Sequence, residues 1–109
     1  MCKYETLYYD SRVGYVIRCT ECEKIQVAWQ NLVMTFREDE FDIFRAGVGK
    51  LREEQLELTD RSARIIRVPA PCAGIQLLLS AEELDEWATL LESADSERKS
   101  LALIGLFKK

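Results

Sequence analysis

The stretch Lys24-Ile25-Gln26-Val27-Ala28-Trp29-Gln30-Asn31-Leu32-Val33-Met34-Thr35-Phe36 alternates throughout, and the residues after it do not. Ile25, Val27 and Trp29 share one face of an extended segment, Gln30-Asn31 supplies a turn, and residues 32–36 form the return strand. From Glu38 the apolar residues Phe41, Phe44, Val48 and Leu51 recur at i, i+3, i+7 and i+10, one stripe of an amphipathic helix. The change from period 2 to period 3.6 predicts sheet followed by helix. Glu38, Asp39, Glu40 and Asp42 crowd the start of that helix, where the positive end of the helix dipole favours acids. A solvated acidic face accounts for them, and a paired-carboxylate site is the sharper alternative.

Working outward, residues 6–9 and 14–18 alternate around the turn residues Asp10-Ser11 and predict a hairpin. Past the first helix, Gly47 and Gly49 either weaken it or admit close packing. Polar residues 52–62 carry its end and a connection, with Leu56 and Leu58 alternating as a short strand. Residues 63–68 predict a strand broken by Pro69-Ala70-Pro71, and residues 75–79 a buried strand. Ser80 and Glu83 then form a capping-box signature, with Leu79 and Leu84 placed for a hydrophobic staple. Leu84, Trp87, Ala88 and Leu91 make a second helical stripe, and both tryptophans read as core.

The two helices echo one another. At an offset of 43, Phe36, Phe41, Phe44 and Val48 align with Leu79, Leu84, Trp87 and Leu91; upstream, at an offset of 50, Cys22 aligns with Cys72. This suggests an internal ββα duplication with half-repeats 14–55 and 63–95, although any strand, cap and amphipathic helix share such a pattern. The alignment puts Arg37 at the N-cap position that Ser80 occupies. The expected architecture is one α+β domain over residues 1–109, an antiparallel sheet with two amphipathic helices on one face.

Composition limits the function. With 109 residues, 48% of them hydrophobic, the chain has enough apolar material for one core. Its longest apolar runs fall far short of the roughly 18 residues that a membrane span needs. The N-terminus lacks the basic start and apolar stretch of a secretory signal, so the cytoplasm is expected. A net charge of −4, without a cluster of Lys and Arg, disfavours nucleic acid as a partner. With no histidine there is no Ser-His or Cys-His nucleophile pair, and no Gly-rich phosphate loop is present, so an enzyme is not expected.

Cys19-Thr20-Glu21-Cys22 is the one motif with recognisable site chemistry. A two-residue spacer lets two thiolates converge on one metal ion, but a closed zinc site takes four ligands. Three readings stand. Cys2, Cys19 and Cys22 bind zinc, with Cys72, Glu21, Glu23 or water as the fourth ligand; or Cys19 and Cys22 act as a reversible dithiol in a thiol-disulfide redox protein, with Arg18 and Lys24 lowering the thiol pKa; or the cysteines are small hydrophobes.

Met1-Cys2, the run Tyr15-Val16-Ile17-Arg18-Cys19 with Cys22, Ile25-Gln26-Val27-Ala28-Trp29 and Asn31-Leu32-Val33-Met34-Thr35-Phe36 resemble an uncharacterised family of short Bacteroidota-type bacterial proteins. The resemblance runs over most of the chain and is strongest in its first 50 residues. It implies a zinc site made by Cys2, a histidine at position 4, Cys19 and Cys22, and it implies no activity. This chain has Tyr4 where the histidine is expected, and Trp29-Gln30 where Phe-Gly is.

At the other end, Leu101-Ala102-Leu103-Ile104-Gly105-Leu106-Phe107 is a concentrated apolar segment after the polar residues 96–100. It is expected either to close the protein's own sheet or to bind a protein partner or a second copy. The sequence thus predicts a small cytoplasmic binding or structural module, with a structural zinc site at Cys19 and Cys22 as one of the open readings of its cysteines, the redox protein being the alternative.

Overall fold

The structure, a computed structural model, describes residues 3–55 and 60–107. Four antiparallel strands follow one another in space as in sequence: β1 (Tyr4–Asp10), β2 (Gly14–Cys19), β3 (Ile25–Trp29) and β4 (Leu32–Phe36). Then come α1 (Glu38–Glu54), a hairpin of β5 (Ile66–Pro69) and β6 (Gln76–Leu79), and α2 (Ala81–Phe107). The fold is α+β, with sheet, hairpin and helices sharing one core. The expected strand at Leu56 and Leu58 lies outside the described residues.

Alternation sets the register. Val16 pairs with Val27 and Val27 with Met34, so that three buried side chains form one row across β2, β3 and β4. On β1 the pairing skips from Thr6 to Tyr8; Leu7 is the bulge residue, and it is buried. Gln30 opens the two-residue β3–β4 turn with φ of 53°, the positive angle that a primed hairpin turn requires. At Gly14 (φ 150°) the backbone passes so close to β3 that a Cβ would lie 1.9 Å from the carbonyl oxygen of Ala28. Only glycine fits there.

On α1 the predicted stripe is inward: Phe41, Phe44 and Val48 are buried and Leu51 is half-buried. Gly47 and Gly49 have open space where a Cβ would sit, so neither admits close packing. On α2, Leu84, Trp87, Ala88 and Leu91 are buried, joined by Leu90 and Ala94 because this helix packs on the first sheet and on α1 together. Aromatic rings tie the layers. Trp87 meets Trp29 at 5.4 Å and Phe44 at 5.6 Å between centroids, and Phe36 meets Phe44 at 5.1 Å. Such tilted and edge contacts add to the burial of large apolar area.

Both helix starts are where the sequence puts them. The Ser80 amide donates to Glu83 Oε1 (3.0 Å) and the Glu83 amide to Ser80 Oγ (3.1 Å), a complete capping box. Arg37 occupies the N-cap of α1 with extended φ and ψ, and its amide donates to Glu40 Oε1 (2.8 Å). A guanidinium has no acceptor, so half of that box is missing.

The second half departs from expectation in three ways. β5 and β6 form a separate two-stranded sheet instead of joining the first. β6 is not a buried strand: Leu79 alone is buried while Leu78 is 53% exposed, because one face of the hairpin meets water. Pro69 does not break β5 but ends it, paired with Gln76 at a terminal position that tolerates a missing N–H. A further correction concerns the C-terminus. Residues 96–107 are neither a connection nor sheet material; they continue α2, which runs unbroken for 27 residues. The helical period of Ala94, Asp95, Arg98 and Leu101, all buried or half-buried, carries the helix through the polar stretch.

Candidate functional site

The Cys-x-x-Cys motif forms the turn between β2 and β3. Cys19 closes β2, its amide donating to the carbonyl of Lys24 (2.9 Å), while the Glu23 amide donates back to the carbonyl of Cys19 (3.0 Å). Inside this double closure the Cys22 amide donates to Cys19 Sγ (3.4 Å). Glu23 takes a φ of 65°, which folds the chain back immediately after the second cysteine. Cys19 is buried and Cys22 exposed. The N-terminal segment is fastened to the same turn, since Thr20 gives both its amide (2.8 Å) and its hydroxyl (3.1 Å) to the carbonyl of Lys3. Tyr4 pairs with Cys19 in the β1–β2 ladder.

An amide hydrogen bond to sulfur is compatible with metal ligation. The donor set in the described residues is short, however. Among them no three Cys, Asp or Glu side chains converge as metal ligands. Cys2 lies outside the described residues. Cys72 stands apart from the turn: it is exposed on the β5–β6 loop and lines a hollow with Val33, Met34 and Thr35 of β4. With β3 between β2 and β4, the lateral separation from Cys19 is on the order of 10 Å, too far for one ion.

Electrostatics around the turn were not legible in the sequence. Arg18, on β2, donates through Nε to Glu38 Oε1 (3.0 Å) and through Nη1 to Glu5 Oε1 (3.3 Å), with Glu23 at 3.7 Å. Burial would lower its pKa, but these three carboxylates outweigh it and hold the guanidinium above its ordinary range. Arg18 is therefore committed to acids and offers no cation to activate a thiol. The turn also joins two strands, not a strand and a helix, so neither cysteine opens a helix.

Two shallow hollows flank the β5–β6 hairpin, and neither was foreseen. One, of about 350 Å³, lies between α1 and β5 and is lined by Phe44, Gly47, Leu51, Val68 and Pro69, with Ile43 on its rim. A second of about 350 Å³ lies between β4 and the hairpin, against Leu32, Val33, Ile75 and Leu77. Glu40, Ala70 and Pro71 line both, and Glu40 is the single charged residue in either lining.

A family model spans residues 1–106, almost the entire chain. The chain belongs to DUF6686, a family of unknown function. No curated protein and no solved structure is significantly similar to it. Membership in DUF6686 carries no activity with it. Within the described residues no helix is long and apolar enough to cross a membrane.

Proposed function

We propose that this protein is a small bacterial structural and binding module of the cytoplasm, whose first sheet is pinned by a zinc ion at the Cys19–Cys22 turn. The observation that supports this most is the Cys22 amide donating to Cys19 Sγ beside a left-handed Glu23, a tight turn that returns the backbone of the second cysteine to the sulfur of the first. Cys2 is the third ligand in this reading, being the neighbour in sequence of Lys3, whose carbonyl Thr20 holds. Glu21, Glu23 or water completes the tetrahedron. A bound zinc would crosslink the N-terminus to the β2–β3 turn, a constraint of value to a domain of this size.

Native mass spectrometry of protein purified under reducing conditions without added metal tests this. One zinc per chain, lost together with thermal stability in Cys19→Ser, is the expected result. A metal-free chain with its thiols counted after unfolding overturns it. The dithiol alternative predicts instead that Cys19→Ser removes thiol reactivity with stability unchanged, and the commitment of Arg18 to acids speaks against it.

The binding role rests on the end of α2, where Leu103, Ile104 and Leu106 are exposed together among the described residues. An apolar helix end of this kind is a protein-docking element.

A further inference from the structure

β4 closes one side of the first sheet, and among the described residues no strand pairs with its outer side. The two-residue turn makes Trp29 and Leu32 a hydrogen-bonded pair, and alternation then gives the bonds to β3 to Leu32, Met34 and Phe36. The bond from the Cys19 amide to the Lys24 carbonyl fixes the same phase from the β2 side. The N–H and C=O groups of Val33 and Thr35 therefore point away from the sheet, two donors and two acceptors along about 7 Å of edge. Val33 is 54% exposed, and Thr35 is exposed as well. Edge strands are ordinarily blunted by charge, proline or a bulge. β1 is bent by its bulge at Leu7 and carries Glu5 and Asp10, and β5 contains Arg67 and Pro69. β4 has none of these features, and its register is unbroken.

Beside this edge lies the hollow of about 350 Å³ between β4 and the β5–β6 hairpin. Leu32, Met34, Ala70, Pro71, Ile75 and Leu77 give it an apolar lining. The hairpin is a sheet of its own and forms the far wall without bonding to β4. A lone strand suits such a hollow, whereas the edge of a second copy's sheet would carry its β3 into the hairpin.

We infer that β4 is a docking edge for an extended segment of a partner protein, which joins the sheet as an antiparallel strand on the open side of β4. Backbone donors and acceptors at the spacing of a strand are matched by another extended backbone, and this selects the occupant. Two residues of the segment face Val33 and Thr35 and exchange N–H and C=O bonds with them. The residue between those two lies opposite Met34 and turns its side chain into the apolar hollow. The segment must therefore carry an apolar residue at that central position and no proline at the two bonding ones. The pairing needs neither zinc nor the end of α2.

The probe is a synthetic peptide with blocked ends that copies residues 24–30, because it has the alternation that β4 already accepts on its inner side. With its valine opposite Met34, the amides at its Gln26 and Ala28 positions bond to β4. Nuclear magnetic resonance of the full chain is expected to show slowed hydrogen exchange at the Val33 and Thr35 amides when the peptide is added. N-methylation of the peptide at the Gln26 and Ala28 positions is expected to weaken binding about tenfold or more, and N-methylation at the Val27 position to leave it unchanged. Val33→Pro removes an outward N–H and no bond to β3, so it is expected to be folded by circular dichroism and to lose the peptide. The methylated peptides leave the protein untouched and decide the matter even if that variant misfolds. Val33 and Thr35 amides already protected in the free chain would mean that the edge is covered without a partner, and would overturn the inference. Absence of binding at about 1 mM peptide overturns it too, as does equal binding of the two methylated peptides, which would leave only side chains in contact.

Discussion

Asp95 Oδ1 accepts from Arg98 Nη2 at 2.6 Å, one turn further along α2, and the same nitrogen reaches across to Asp42 on α1. Lys99 adds a bond to Asp95 Oδ2 at 2.9 Å, and Arg45 Nε lies 3.8 Å from that oxygen. A carboxylate with only 4% of its side chain exposed thus gathers three cations and locks the two helices together.

Removing that carboxylate takes one counter-charge from half-buried guanidiniums that keep Asp42 and Glu92. Asp95→Ala is expected to lower stability by about 2 kcal/mol in chemical denaturation, more than an exposed pair and less than a wholly uncompensated buried charge. A loss below roughly 1 kcal/mol, the value of a surface pair, would show that water takes over the role of Asp95.

Acid should act on the same group. Burial raises the Asp95 pKa, but Lys99, Arg98 and Arg45 outweigh it and hold the carboxyl below its ordinary value. A depressed folded pKa means stability that is present above the unfolded value of about 4 and is lost as pH falls through the folded one. The acid-unfolding limb of the wild type below about pH 4 should therefore be steeper than that of Asp95→Asn. Limbs of equal slope would assign acid sensitivity to other carboxylates.

Gly14 is expected to be irreplaceable. Alanine would need to move the Ala28 backbone away from 1.9 Å while holding a φ of 150°, and a loss of more than about 3 kcal/mol is anticipated. A Gly14→Ala protein with wild-type melting would contradict the close approach of β2 and β3.

Gly49 is the opposite case. It sits inside α1 with nothing near its Cβ position, so Gly49→Ala should raise stability by about 1 kcal/mol. An unchanged or lower melting temperature would mean that the helix is not regular at this point.

Arg37→Ser should likewise stabilise α1, by on the order of 1 kcal/mol, since serine supplies the acceptor that the N-cap lacks. The pair that arginine makes with Asp39, at 3.1 Å, is exposed at both ends and contributes little. If melting does not rise, that pair matters as much as the cap.

The local period alone determined the first half of this protein. Ile25, Val27, Trp29, Met34 and Phe36 point inward because a strand alternates, and Phe41, Phe44 and Val48 because a helix repeats every 3.6 residues. Caps at Arg37 and Ser80 and the turn at Gln30 were legible for the same reason: each is decided by residues within a few positions. So was the Cys19–Cys22 turn, which a two-residue spacer defines by itself.

Tertiary structure decided what depends on distant residues. Whether β5 and β6 extend the first sheet is a matter of which edge they can reach, and the apolar run in β6 looks the same in either case. Residues 96–100 look like a linker until Arg98 finds Asp42 fifty-six positions away, an ion pair that makes a polar stretch the middle of a helix. Cys72 matches Cys22 in sequence yet lies two strands away, and Arg18 is spoken for by Glu5 and Glu38. Side-chain period is local, whereas charge pairing and sheet partnership are settled only when the core closes.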